Sequence, residues 1–324
     1  MTLNSKIFKA SYQCNIFGEM EEITPIKGIL EQKFLIPPFS VLDCKQGYWQ
    51  DRKRKWCELG IKSELGRNAQ SYHMKNWTDK KSESGDLSGN KLPSDTSIFD
   101  PVLCEVCYKW FNVENGIIYD PFAGGSVRGI VANLLNYNYI GIDLSEQQIE
   151  ANINNAQELN CNFNNLKWIN DDSMNADKYL KNESVDMIFT CPPYYDLEIY
   201  SNKPNDLSNM NFENFVENYS LILQNAFKKL KNNRFGIVVI GDVRDKKGKY
   251  RNLIDITKNA IINDNICFYN DIILLTSLAS ASLRAEQQMS CSRKVVKIHQ
   301  NVLVFYKGNP SEIRNNYKSL NFDY

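Results

Sequence analysis

Histidine is nearly absent from this chain of 324 residues, with two in all. Cysteine does not make up for it. Nine cysteines lie scattered along the sequence, and only Cys104 and Cys107 stand at metal-like spacing. No second pair and no nearby histidine completes a tetrahedral site, so no metal is expected, and on a helical pattern the two read as packing residues. An odd, dispersed set is also no disulfide framework, which points to a reducing cytosol. No apolar run approaches the length needed to span a bilayer, and Met1–Lys6 lacks the hydrophobic core of a signal peptide, so no membrane partner is expected. Net charge is missing too: 38 basic residues balance 38 acidic ones. Taken alone, that argues against a polyanion binder.

The distribution of charge says more than its sum. From Lys228 to Leu320 there are 17 basic and 7 acidic residues, whereas the stretch beginning at Glu114 is acidic. A basic end beside an acidic centre allows a polyanion-binding face without a high isoelectric point. Nearer the start, Arg52, Lys53, Arg54 and Lys55 form an unbroken cationic run between Trp49 and Trp56. Such a run suits phosphate contacts with aromatic stacking partners, and it equally suits a surface helix whose tryptophans face the core.

Residues 1–96 show little periodicity and read as an N-terminal extension, a recognition or lid region, ending in a polar linker over 79–96. From Ser97 the pattern changes to regular alternation. Helix near Pro101, strand 116–120, helix to Leu135, strand 139–143 and a Ser145-capped helix follow one another. Short strands over 166–169 and 185–189 lead to a long amphipathic helix from Phe212 to Leu230. Strand 235–240, a helix near Leu253–Ile262 and strands 266–275 and 302–306 complete the order. The expectation is a Rossmann-like α/β domain over 97–310, with about seven mostly parallel strands, helices on both faces and an antiparallel strand near the end. Residues 311–324 read as a tail.

Three features fall at strand ends, where open α/β sheets bind ligands. Asp120-Pro121-Phe122-Ala123-Gly124-Gly125-Ser126 is a tight glycine turn opening a helix, without the three-glycine spacing of a dinucleotide site. Asp143 ends the next strand, the usual position for gripping ribose hydroxyls, and Asp172 follows the third, where it could accept from an adenine amino group. Three carboxylates in register with a glycine turn fit an adenosine carrying an amino-acid tail, which is S-adenosylmethionine. The fourth strand runs into Cys191-Pro192-Pro193-Tyr194, a rigid loop that fixes a small polar side chain, a proline carbonyl and a ring close together. That set suits a planar base bearing an amino group.

These residues resemble the amino-group DNA methyltransferases. Asp120–Ser126 is similar to that family's first motif, around the methionine part of the cofactor. Phe99-Asp100-Pro101 resembles its upstream cofactor motif, and Cys191–Tyr194 its catalytic (D/N/S)-P-P-(Y/F) motif. Ile36–Asp43, Gly47–Gln50 and His299–Phe305 look like stand-alone methylases of phages and mobile elements. The resemblance implies S-adenosylmethionine as cofactor, double-stranded DNA as partner and a flipped base stacked on Tyr194. Cys191 departs from the usual Asp, Asn or Ser. Cysteine is nearest to Ser, commoner in the cytosine-N4 branch, which favours cytosine N4 over adenine N6. A carbon-5 enzyme would instead present its cysteine after a proline. The two motifs lie too close together to hold a recognition domain between them. Specificity is therefore expected from the first 95 residues, from the loop 244–251 with Arg244, Lys246 and Lys247, or from the stretch 277–297 with Arg284. Tyr195 is the further aromatic expected at the nucleic acid.

Overall fold

The computed structural model describes residues 11–14, 20–23, 34–62, 99–196, 203–276 and 281–320. The linker expected over 79–96 lies outside them. A short antiparallel pair, β1 (Ser11–Cys14) and β2 (Met20–Ile23), stands apart from an eight-stranded sheet. In chain order the rest runs β3 (Val41–Asp43), α1 (Gly47–Glu58), α2 (Pro101–Phe111), β4 (Ile117–Asp120), α3 (Val127–Leu134), β5 (Asn138–Asp143), α4 (Glu146–Glu158) and β6 (Leu166–Asn170). It continues with β7 (Val185–Thr190), α5 (Phe212–Lys229), β8 (Leu230–Ile240), α6 (Leu253–Ile261), β9 (Ile266–Leu275), α7 (Ala281–Ser292), β10 (His299–Lys307) and α8 (Ile313–Asn316).

The strand order is β3-β9-β10-β8-β7-β4-β5-β6. Only β10 runs antiparallel to its neighbours in this sheet, β8 and β9. This is the expected Rossmann-like, mostly parallel sheet with one strand added: β3, from the weakly periodic N-terminal region, pairs with β9 in parallel. Two consequences position the site. Every parallel strand ends on the same edge of the sheet, where β10 begins. The chain also reverses direction between β4 and β7, since β5 and β6 extend to one side and β7 starts the other; that reversal is where such sheets hold ligands.

Close packing explains the small residues. A methyl group on Gly129 of α3 would lie 2.6 Å from the Trp168 ring, and one on Gly141 of β5 would lie 2.8 Å from the Ala123 methyl. Glycine at 129 lets α3 settle onto the sheet. Glycine at 141 lets the turn after β4 fold down onto β5, where Ala123 N–H donates to Ile142 O at 3.0 Å. Strand β7 is buried along all six residues, as a central parallel strand must be.

The cationic run 52–55 has a structural explanation. In α1 the spacing of Trp49, Arg52 and Trp56 turns all three inward, and both tryptophans are fully buried. Arg52 donates to both oxygens of Glu105 on α2 at 2.8 and 2.7 Å, and Trp56 Nε1 donates to the same carboxylate at 2.8 Å. Arg52 and Trp56 are therefore docking residues, out of reach of a nucleic-acid phosphate, which corrects the phosphate reading for both. Lys53 donates to Asp100 at 3.2 Å, Lys55 is half-buried, and Arg54 is exposed and paired with Asp51.

Burial pushes the Glu105 carboxyl up, but bonds from Arg52 and Lys109 outweigh it, leaving its pKa below the ordinary value. A depressed carboxylate pKa stabilises the fold above the unfolded-state value of about 4.3, and that contribution is lost as pH falls through the folded value. Denaturant midpoints measured from pH 7 down to pH 3 should therefore fall in the wild type, and fall less steeply in Glu105→Gln. Parallel curves would remove Glu105 from the acid response.

Candidate active site

At the reversal point the ends of β4 and β7 are tied together. Thr190 Oγ1 donates to Asp120 Oδ1 at 2.7 Å, and Phe122 N–H donates to the same oxygen at 3.1 Å. Tyr139 OH donates to Asp120 Oδ2 at 2.9 Å, and Arg128 Nε donates to it as well. Four donors thus surround a carboxylate that is fully buried. Burial opposes the charge on Arg128, yet Asp120 beside it holds that charge more firmly than in water. The expectation that Asp120 is one of three ligand-facing carboxylates is corrected: its partner is the guanidinium of Arg128, eight residues on, and its work is to fix the turn.

Arg128 continues that work. Its Nη2 donates to the carbonyls of Phe122 and Ala123 at 2.6 and 2.8 Å, and its guanidinium lies 4.7 Å from the centre of the Phe99 ring. Pro101 opens α2 beneath, where Asp100 caps the helix by accepting from Val102 N–H at 2.9 Å. Phe99, Phe122 and Ala123 are thereby assembled around one buried cation, and the Pro121 carbonyl beside them accepts from Ser173 Oγ. Beyond Ala123 the backbone of Gly124 takes a φ of 49°, which glycine adopts without penalty. The turn then runs through Gly125 and Ser126 into α3, whose first amides have no carbonyl partner within the helix. Ser126 Oγ donates to Asn155 Oδ1 at 2.9 Å, facing α4 rather than the turn's mouth.

Asp143 closes the other side. Its oxygens accept from Gly124 N–H at 2.8 Å and Ser145 N–H at 2.9 Å, while burial raises its pKa against both bonds. Each oxygen keeps a lone pair, enough to receive a pair of vicinal hydroxyls. Asp172 accepts from Met174 N–H at 2.9 Å and from Asn205 Nδ2 at 2.8 Å. Lys203 Nζ donates to Leu144 O at 2.6 Å. The segment around 203–205 thus crosses the ends of β5 and β6, a placement with no signal in the sequence. The donor set, a glycine turn opening a helix whose first amides lack intrahelical partners, set between two half-buried carboxylates, fits an adenosine with an amino-acid tail.

On the β7 side, Cys191 is half-buried and Pro192 buried, while Pro193 and Tyr194 are partly open. Tyr194 OH accepts from Gln300 Nε2, at the start of β10, at 2.8 Å. The ring rests beside Gly241 at the end of β8, where an added methyl would lie 3.4 Å from Tyr194 Cε1. Tyr195 then takes a φ of 61°, a left-handed conformation that an aromatic residue adopts only under external constraint. The constraint is visible. Tyr195 is buried edge-on against Phe212 and Phe215, with the Arg251 guanidinium 4.4 Å from its ring centre, and Arg251 also pairs with Asp196 at 3.2 Å. Tyr195 anchors the loop, and its assignment to nucleic acid is corrected.

Arg244, Lys246, Lys247 and Arg284 are exposed on the same sheet edge, on the loop after β8 and on α7. The segments 242–251 and 281–297 together carry nine cations against three carboxylates. Arg128, Gln300 and Arg251 were not singled out by sequence reasoning. Gln300 and Arg251 do lie in stretches it marked, and Arg128 could have been found as the lone cation at the start of the helix after a buried acid. Cys104 and Cys107 are fully buried in the core.

Several solved structures are similar to part of the chain. TrmN from Thermus thermophilus is 13% identical, with a TM-score of 0.46 over 66% of this chain and 51% of that one, so the chain spans about half of TrmN. A methyltransferase from Pyrococcus furiosus is 16% identical, with a TM-score of 0.42 over 73% of this chain and 98% of that one. Magnesium protoporphyrin IX methyltransferase from Synechocystis PCC 6803, with bound S-adenosylmethionine, is 11% identical, with a TM-score of 0.36 over 60% and 70%. No curated protein matches the chain. A family model does: the N6/N4 DNA methylase model matches residues 41–154, which hold the glycine turn and Asp143 and stop short of the Cys191 loop. That stretch of the chain is similar to DNA methylases, and the sheet brings the Cys191 loop to the same edge as the glycine turn.

Proposed function

We propose that this enzyme methylates the exocyclic amino group of a base flipped out of double-stranded DNA, with cytosine N4 ahead of adenine N6. The observation that carries the reading is the Cys191–Tyr194 loop, tied through Thr190 and Asp120 to the glycine turn at the sheet's reversal point. S-adenosylmethionine supplies an electrophilic methyl group. Gly125 and the first α3 amides would hold its amino-acid end, with Phe99, Pro101 and Pro121–Ser126 walling the turn; Asp143 would take the ribose hydroxyls and Asp172 the adenine. The chain's part is positioning. Tyr194, steadied by Gln300, offers a face for the flipped base. The Pro192 carbonyl accepts from the base's amino group, with the Cys191 thiol as a weaker acceptor. Holding those hydrogens localises the nitrogen lone pair and aims it across the reversal point. Arg244, Lys246, Lys247 and Arg284 face the DNA backbone; Arg54 and the partly covered Lys53 and Lys55 stand further along the same chain.

A tritium-transfer assay on unmethylated DNA, tRNA and total protein tests the substrate. Label is expected in DNA, and label confined to RNA or protein would replace this reading by an RNA or protein methyltransferase of the same fold. A second variant separates amino from carbon-5 chemistry. Cys191→Ser keeps a small acceptor and is expected to retain transfer within about tenfold, the scale of one hydrogen bond. Carbon-5 methylation needs a thiolate nucleophile and would stop altogether.

A further inference from the structure

Near Tyr194 lies a cavity of ≈ 160 Å³ whose lining includes Asp242, Arg244, Tyr250, Arg284, Gln288 and Lys297. It is strongly cationic, and its one carboxylate is already engaged: Asp242 Oδ1 accepts from Leu253 N–H at 2.6 Å, at the start of α6. Arg244 is held in place. Its guanidinium lies 3.8 Å from the centre of the Tyr250 ring and donates to Gly248 O at 2.8 Å. Lys297 donates at 3.4 Å to Asn301 Oδ1, and burial outweighs the pull of Asp242 and Asp271 to bring its pKa down. A desolvated ammonium gains most from an anion that comes to it. The cavity adjoins the base site: a methyl group on Gly241 would lie 3.4 Å from Tyr194 Cε1 and 3.8 Å from Lys297 Nζ.

We propose that this cavity binds a backbone phosphate of the strand that carries the target nucleotide, with Arg244, Arg284 and Lys297 as donors. The proposal rests on the nucleic-acid reading above and adds to it the anchor that holds the strand while the base is out of the stack. A phosphate fits better than a neighbouring base. Three cations converge on the cavity, and the aromatic ring in its wall, Tyr250, is already covered on one face by Arg244. Phosphate contacts of this kind fix register and contribute no sequence information of their own.

The test measures binding of two duplexes of unrelated sequence over a salt series, with full-length wild type, Arg284→Ala, Lys297→Ala and Lys297→Arg. Binding of S-adenosylhomocysteine is measured on each variant as a check that the fold survives. Each alanine variant is expected to weaken both duplexes by the same factor and to lower the slope of log affinity against log salt by about one. Lys297→Arg should restore the slope. An unchanged slope and affinity in both alanine variants would overturn the phosphate site, and so would a loss confined to one duplex at unchanged slope, which is the behaviour of a base contact. If wild type binds and methylates DNA while the variants match it, the cavity assignment alone fails. Wild type that neither binds nor methylates DNA would overturn the substrate reading and the cavity with it.

Discussion

Arg128→Met is expected to destabilise the protein by about 3–5 kcal/mol, the cost of removing one partner from a buried ion pair. Asp120 has no route to solvent, and the donors that remain to it, from Thr190, Tyr139 and Phe122, are neutral. The carboxylate would stay buried without a counter-charge. The same change frees the carbonyls of Phe122 and Ala123 and uncovers Phe99. Those groups set the path into Gly124, so cofactor affinity should fall along with stability. Denaturant unfolding and calorimetric titration with S-adenosylhomocysteine, run on the same samples, read both effects. Asp120→Asn combined with Arg128→Met should cost less than the sum of the two single changes, because the pair shares one interaction. Additive losses, or a single-variant loss below about 1 kcal/mol, the range of exposed pairs, would show that the pair does not organise the turn.

Tyr194 has the largest expected effect on transfer. Its two parts can be separated, since the ring offers a stacking face and the hydroxyl accepts from Gln300. Tyr194→Ala removes both, and base stacking on an aromatic ring contributes about 1–3 kcal/mol. That corresponds to a fall of roughly 5- to 150-fold in kcat/KM, by the relation that 1.36 kcal/mol is tenfold in rate. Tyr194→Phe keeps the ring and loses one hydrogen bond, about 0.5–1.5 kcal/mol, or roughly two- to tenfold. Steady-state kinetics on one DNA substrate should therefore rank wild type, Phe and Ala in that order. Equal losses for Phe and Ala would move the function of Tyr194 from its ring to its hydroxyl.

Much of the fold can be read in the sequence, because the alternation from residue 116 to 240 leaves little freedom. Buried strands bounded by turn residues and separated by amphipathic helices impose a parallel sheet, and its strand ends place Asp143, Asp172 and the Cys191 loop on one edge. What cannot be read depends on partners far away in sequence. The run 52–55 has the same composition whether its arginine meets a phosphate or a buried carboxylate, and Glu105, which decides it, lies 53 residues on. Strand β3 is three residues long, below the length at which period-two alternation is detectable, and its pairing with β9 fixes it. Asp120 reads as a ligand-facing acid when taken by itself, because its counter-charge, Arg128, sits on the next helix and folds back over it. Tyr195 follows Tyr194 directly, and its left-handed backbone sends the two rings to different surroundings, one into the core and one to the cleft. Sequence pattern locates a strand end well, but not the direction in which its side chains are spent.

The most direct test is nucleoside analysis by mass spectrometry of DNA from a host expressing the wild-type chain or Tyr194→Ala, compared with an empty control. N4-methylcytosine or N6-methyladenine, present with wild type and strongly reduced with Tyr194→Ala, is the predicted result. 5-Methylcytosine, or an amino-methylated base at equal level with wild type and Tyr194→Ala, would contradict the account.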